Sequence, residues 1–274
     1  MAALSTEAQA QEVQITGPLA GAPAYRRLRL HRDSRFELAP TASFTLLDEY
    51  RRHIMPSLRA TYHFTDWFGL GLFGGPSFSY NAGLSDELQE KAIDGRSCAD
   101  NPYSPACRLT AVNLCRGEDC LADKQLGRVQ WMLVPQLTFV PFRGKVSLFS
   151  ALFMDTDINL FLGPAIVGVQ ERQECGGDGQ ILCSDAASFE LASRVTAAPS
   201  FGIGLNFYPA DMVGFGTEFR VTPLSYNTSG FDVASEEDNF PDNKVDSNDR
   251  KWHMTSMVSI YVSVQLPPEI EISD

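Results

Sequence analysis

Apolar and polar residues alternate one for one over long stretches of this chain, and a period of two predicts strands. In WHMTSMVSIYVSVQL, residues 252–266, one face carries Trp252, Met254, Val258, Ile260, Val262 and Val264; the other carries His253, Thr255, Ser259, Tyr261, Ser263 and Gln265. The same split recurs over 35–47 (Phe36, Leu38, Phe44 and Leu46 apolar) and 53–64 (Ile54, Leu58, Tyr62, Phe64). It continues over 68–80 (Phe68, Leu70, Leu72, Phe78), 129–140 (Val129, Trp131, Leu133, Leu137), 190–208 (Val195, Phe201, Ile203, Leu205) and 212–222 (Val213, Phe215, Phe219, Val221). Residues 154–170 make an eighth strand with weaker alternation, and KVSLFSALF, 145–153, is left without a clear place.

Connection lengths sort by parity. Thr65-Asp66, the Phe142-Arg143-Gly144 region and Pro209-Ala210-Asp211 are short turns, whereas 81–126, 171–188 and 227–250 are long, polar and acidic. Of the connections on the long side, only LDEYRR, near residue 50, is short. Short turns at one end and long loops at the other describe an outer-membrane barrel with both termini periplasmic. The second face agrees. A soluble sandwich would fill it with Lys, Glu and Thr, but here it is mostly Gly, Ser, Ala and Thr with isolated charges. The lumen of an eight-stranded barrel has room only for its own side chains, so its inward face is expected small and polar, its outward face apolar.

The expected fold is therefore all-β: an eight-stranded antiparallel up-and-down transmembrane β-barrel with long extracellular loops, spanning residues 35–266. Residues 11–34 form a periplasmic arm and 267–274 a periplasmic tail. Aromatic girdles are expected from Tyr62, Phe64, Trp67, Phe68, Phe139, Phe207 and Tyr208 at the short-turn end, and from Tyr80, Tyr226 and Trp252 at the other. Glycines 69, 71, 214 and 216 are expected to let the sheet bend into closure. Pro40, Pro56, Pro76, Pro135, Pro164, Pro199 and Pro223 fall on the apolar face. Each removes a ladder donor, so bulges are expected at several of them.

Composition removes other classes. No apolar run approaches the roughly 18 residues of a membrane helix. The formal charge of −12 argues against a nucleic-acid partner, since phosphate contacts need a basic face. Ala8-Gln9-Ala10 followed by Gln11 matches a signal-peptidase site, so residues 1–10 read as the end of an export signal. All six cysteines lie in polar segments: Cys98, Cys107, Cys115 and Cys120 in one, Cys175 and Cys183 in another. An even number confined to loops fits disulfides of an oxidising compartment, with Cys175–Cys183 closing one loop and the other four pairing among themselves. No CxxC spacing supports zinc, and neither a metal nor a cofactor is expected.

RRLRLHRDSRFELAPTASFTLLDEYRRHIMPSLRATYHFTDWFGLGLFGGPSFSY, with the later FRGKVSLF and the closing SVQLPPE, resembles the outer-membrane β-barrel family abundant in myxobacteria and related deltaproteobacteria. The resemblance covers about residues 25–268 apart from the cysteine-bearing loops, and its motifs are loose patterns. It implies a small OmpA-like barrel in a cell with two membranes; some members are linked to envelope-spanning assemblies such as gliding-motility complexes. OmpA itself carries a peptidoglycan-binding domain after the barrel, and none is expected after PPEIEISD.

The candidate chemistry is sparse. Inward-facing Arg35, Glu37, Arg59, His63, Arg194, Glu218 and Arg220 form either a salt-bridged plug or a gated polar path, and the plug is favoured because small barrels are filled by side chains. A turn centred on residue 50 sets Glu37 opposite His63. His53 and His253 near the outer mouth suggest a lipopolysaccharide-modifying enzyme, but no acidic partner stands out to orient either. Asp242, Asp246 and Asp249 loosely resemble a calcium loop that lacks its glycine, which reads as a solvated acidic loop. The run Arg26, Arg27, Arg29, Arg32 and Arg35 is placed on the periplasmic side, available to headgroups or a partner.

The function expected is a non-enzymatic outer-membrane barrel, a structural or interaction component of the envelope. Its expected partners are outer-membrane lipid, lipopolysaccharide and other envelope proteins. The alternatives are a narrow pore for small solutes, a barrel enzyme, and a soluble lipocalin-like binder with an apolar lumen.

Overall fold

The computed structural model describes residues 32–85, 125–148, 152–210, 212–235 and 242–267. Its strands are β1 (Arg35–Leu46), β2 (Arg51–Thr65), β3 (Phe68–Pro76), β4 (Phe78–Asn81), β5 (Arg128–Leu148), β6 (Leu152–Arg172), β7 (Leu191–Tyr208), β8 (Val213–Tyr226) and β9 (Lys251–Leu266). β3 and β4 are one stave interrupted at Ser77: both pair with β2 in one unshifted register, Leu58 opposite Gly74 and Ile54 opposite Phe78. Every neighbour is antiparallel, and β1 pairs with both β2 and β9, so eight staves close into a ring with no free side.

The alternation decides which side faces where. Phe44, Ile54, Leu58, Leu70, Leu137, Leu162, Phe201, Phe219 and Ile260 point outward and are exposed. Their odd–even neighbours Ser43, Met55, Gln136, Phe161, Ser200, Arg220, Ser259 and Tyr261 are buried inside. A continuous apolar belt around a closed barrel, far larger than water-facing proteins leave exposed, is the surface of a transmembrane β-barrel of the outer-membrane type. A lipocalin-like binder has the reverse polarity and is ruled out.

The inward glycines are sockets for large neighbours. A Cβ on Gly216 would lie 2.6 Å from the Tyr261 hydroxyl, one on Gly214 2.7 Å from the Tyr208 ring, and one on Gly202 2.4 Å from the Phe161 ring. Small opposite large is how a narrow lumen is filled without voids. The glycines expected to bend the sheet thus have a more specific reason at 214 and 216.

Several expectations need correction. Val129 faces inward, because a register shift between Val129 and Trp131 moves it across the wall. Tyr208 and Tyr226 are buried in the lumen instead of joining the girdles. Residues 142–144 are not the β5–β6 turn, since Phe142–Leu148 continue β5 and pair with Leu152–Ile158. β1 and β2 turn one residue earlier than expected, so Arg35 faces His63, and Glu37 faces Thr61.

The seven prolines cause no register shift. Shifts occur at His63–Thr65, Val129–Trp131 and Phe139–Phe142. Where Pro56 and Pro135 face a neighbouring stave, a glycine lets the backbones close up. A Cβ on Gly75 would meet the Pro56 carbonyl oxygen at 2.2 Å, and one on Gly163 the Pro135 carbonyl at 1.9 Å. By register these carbonyls lie opposite Pro76 and Pro164, which have no N–H to donate, and contacts with glycine Cα–H groups supply part of what is missing. Pro164 and Pro199 sit directly opposite one another in the β6–β7 ladder.

Candidate functional site

The lumen is the place where buried polar chemistry concentrates, and it is filled in layers. Near the short-turn end, Arg32 from the arm turns inward before β1 begins. Its guanidinium is buried against Asp157 of β6 and the Tyr208 hydroxyl of β7, lying 4.6 Å from that ring. Its backbone N–H donates to Asp66 Oδ1 at 2.7 Å, fixing the arm to the β2–β3 turn. Asn206 Nδ2 donates to Asp157 Oδ1 at 2.6 Å, and the Tyr261 hydroxyl donates to Asn206.

Above this lies a chain of alternating charges. Arg59 Nη2 donates to Glu37 Oε1 at 2.7 Å and Arg59 Nη1 to Glu218 Oε2 at 3.0 Å. Arg220 Nη2 in turn donates to Glu218 Oε1 at 3.2 Å and to Gln136 Oε1 at 2.8 Å. Glu37 Oε2 accepts from Gln265 at 2.7 Å and lies 3.4 Å from His63 Nε2. Both arginines also rest on aromatic faces: Arg59 lies 4.0 Å from the Tyr261 ring, and Arg220 is sandwiched 4.1 Å from Phe73 and 4.2 Å from Phe161. Buried charges persist only with such partners.

Five of the seven residues expected as a lumenal network therefore meet: Glu37, Arg59, His63, Glu218 and Arg220. Arg35 lies lower, donating to the Pro267 carbonyl at 3.0 Å. Arg194 sits at the long-loop end, donating to Glu171 Oε1 at 2.8 Å and to the Ser225 carbonyl at 2.8 Å. Sequence reasoning missed Arg32, Asp157 and Asn206. Arg32 reads as part of a basic run on the periplasmic side, Asp157 falls where alternation is weak, and Asn206 sits on the polar face of its strand but has no charge to single it out.

Toward the long loops the lumen turns apolar. Met55, Phe73, Met132, Val134, Val167, Leu224 and Met257 are buried in one cluster spanning the bore. This contradicts a uniformly small, polar inward face. Its signal was present: WMLVP in β5 and AIVGV in β6 are apolar on successive residues, the pattern of a strand buried on both faces.

A folded cap covers that layer. Arg172, at the top of β6, stacks 3.8 Å from Phe189 and donates to the carbonyls of Gly230 at 2.9 Å, Cys183 at 2.9 Å and Ser188 at 3.2 Å. One guanidinium thus ties two loops together. Cys175 pairs through its backbone with Val245 and through its sulfur with Cys183. Cys98, Cys107, Cys115 and Cys120 lie outside the described residues. In the segment expected as a solvated acidic loop, described residues are held by their own carboxylates. Buried Asp249 accepts from the N–H groups of Val233 at 2.7 Å, Ala234 at 3.0 Å and Asp246 at 2.9 Å, while Asp232 accepts from Asn243 at 2.7 Å. Burial pushes the Asp232 carboxyl up to about 6 and raises that of Asp249.

The histidines do not make a catalytic pair. His53 has an orienting carboxylate, Asp48, 3.3 Å from Nδ1, a partner five residues away that sequence reading overlooked. Its Nε2, however, accepts the backbone N–H of Val129 at 3.1 Å, so the lone pair a general base needs is already used. His253 lies edge-on to Tyr226 at 4.5 Å. Among the described residues no cluster of three or more His, Cys, Asp or Glu is arranged to hold a metal.

No protein-family profile matches the sequence, and no curated protein sequence matches it. Among solved structures, the N-terminal β-barrel domain of Pseudomonas aeruginosa OprF is similar at 8% identity and a TM-score of 0.42, covering 85% of this chain and 98% of that one. The outer membrane protein OprG from Pseudomonas aeruginosa follows at 11% identity and 0.38, covering 86% and 97%. Ail, the attachment invasion locus protein of Yersinia pestis, is similar at 10% and 0.31, covering 85% and 99%. The fold assignment itself rests on the closed ladder and the outward apolar belt.

Proposed function

We propose that this protein is a non-enzymatic structural or interaction component of the outer membrane, a sealed barrel that presents its long-loop cap outward and its arm and tail to the periplasm. The observation that carries this reading is the filled lumen: an arginine–carboxylate layer, an apolar layer and a folded cap are stacked along one bore. An ion crossing it would have to displace the Arg59–Glu37 and Arg59–Glu218 pairs, then pass the Met55–Phe73–Met257 cluster. The narrow-pore alternative is disfavoured on that ground, and a barrel enzyme by the occupied Nε2 of His53.

The sorting of short turns and long loops supports periplasmic termini. Outer-membrane lipid and lipopolysaccharide surround the belt, and the cap and arm are the surfaces on offer to other envelope proteins. Some members of the outer-membrane barrel family that the sequence resembles are linked to envelope-spanning assemblies, which is in keeping with this reading. Planar-bilayer recording tests the reading: a sealed barrel gives no stable conductance above the lipid baseline. Steady open events of uniform size would overturn it.

A further inference from the structure

The ring has a notch at its long-loop rim. The β1–β9 ladder stops at Leu46–Ser256, while β8 and β9 go on pairing as far as Tyr226–Lys251. On the other flank the β1–β2 ladder stops at Phe44–Ile54, and the His53 N–H turns to the Thr45 hydroxyl at 2.8 Å. β2 continues upward beside β4 to Arg51–Asn81. Residues Lys251–Thr255 therefore pass beyond the end of β1, facing the tight Leu47–Tyr50 turn across a gap. A cavity of about 310 Å³ fills that gap and reaches inward to Tyr226 and His253.

The walls of the gap are sorted by chemistry. Its outer lip is apolar and turned to the surroundings of the belt: Leu47 is 87% exposed, Met254 60%, and Trp252 beside them 68%. The rest of its lining carries both signs of charge, Asp48 and exposed Glu49 on the turn and Arg51 and exposed Lys251 on the flanking strands, with Tyr50 on the turn and buried Tyr226 at the inner end. Asp48 is engaged with His53, and Arg51 donates to Ser79 Oγ at 3.3 Å, which leaves Glu49 and Lys251 as the charges facing the opening. A sheet edge beside lipid needs a polar group to meet its backbone. A group that arrives from the lipid side, bears one charge of each sign and trails an apolar chain matches every wall.

We propose that this notch binds a phospho-ammonium head group. Lys251 holds the phosphate, and Glu49 with the ring of half-buried Tyr50 holds the ammonium, which aromatic rings attract through their quadrupole. The attached chain lies over Leu47, Met254 and Trp252. The head belongs either to a membrane lipid or to a glycan that carries the same group.

The test is calorimetric titration of the full chain, folded in maltoside micelles, with three probes: dihexanoylphosphatidylcholine, the matching phosphatidylglycerol, and phosphocholine without chains. The Lys251→Glu and Glu49→Lys variants, checked for folding by heat-modifiable gel migration, measure the micelle background, and Lys145→Glu at the opposite end controls for charge. Saturable binding of the choline lipid is expected, weakened about tenfold or more by either notch variant and by loss of the ammonium in the glycerol lipid, and unaltered by Lys145→Glu. Phosphocholine binding as tightly as the lipid would assign the notch to a glycan-borne head; a need for the chains assigns it to a membrane lipid. Absence of saturable binding by either choline probe, or binding that ignores the notch variants, overturns the proposal.

Discussion

Replacing Arg59 by methionine keeps the length of the side chain and deletes the charge on which Glu37 and Glu218 both depend. Two buried carboxylates then face each other with one cation, Arg220, and the polar groups of Gln265 and His63 between them. Breaking a buried ion pair by removing one partner costs about 3–5 kcal/mol, most of it the uncompensated charge left behind. The lost contact with the Tyr261 ring adds about 0.5–2 kcal/mol. Arg59→Met is therefore expected to destabilise the barrel by about 3.5–7 kcal/mol, a large share of the ~5–15 kcal/mol typical of a folded domain. Glu37→Gln in the same background removes the stranded charge, so the double variant should recover about 1–3 kcal/mol relative to the sum of the singles. Urea titration in lipid vesicles, followed by heat-modifiable migration and tryptophan emission, measures all four corners of the cycle. Additivity within about 0.5 kcal/mol would show that the pair is not coupled, and the layered-plug reasoning would fail with it.

Gly216→Val places side-chain atoms where the Tyr261 hydroxyl already lies, so folding yield on gels should drop sharply while the outward Thr217→Val, on the lipid face, is tolerated. Arg172→Met removes the donors that join the two cap loops; faster proteolysis within 173–190 and 227–235 is expected, with the belt-embedded core left intact. Cys175→Ser with Cys183→Ser reopens a short loop, worth roughly 2–3 kcal/mol of chain entropy, and should raise hydrogen exchange at Val245 without altering gel migration. For Asp232, the folded carboxyl titrates near 6, above its unfolded value. The folded cap then holds more protons between about pH 4 and 6, and stability falls as pH rises through that window. Protease resistance of the cap should be greater at pH 5 than at pH 7; the reverse trend would count against the burial of Asp232.

The wall of this barrel was legible in the sequence and the filling only half so, for one physical reason. A lipid-facing surface demands apolar side chains at every second position regardless of what lies opposite, and so Phe44, Leu70, Phe201 and Ile260 announce themselves through period alone. The lumen demands only that volumes fit and charges find partners, and those are relations between staves. Glu37 and Arg59 could be placed on the inward face, but their meeting with Glu218 depends on a register set across the whole ring. Arg32 could not be placed inside at all, because nothing local marks an arm residue whose partners are Asp157 and Tyr208, on strands far along the chain. The proline expectation failed in the same way: the residues that accommodate Pro56 and Pro135 are Gly75 and Gly163 on neighbouring staves. Even the two places where alternation faltered were informative. WMLVP, inside a strand that otherwise alternates, and AIVGV, inside the weakest one, are apolar on successive residues where the bore turns apolar, so these short lapses mark the layer that seals the lumen above the charges.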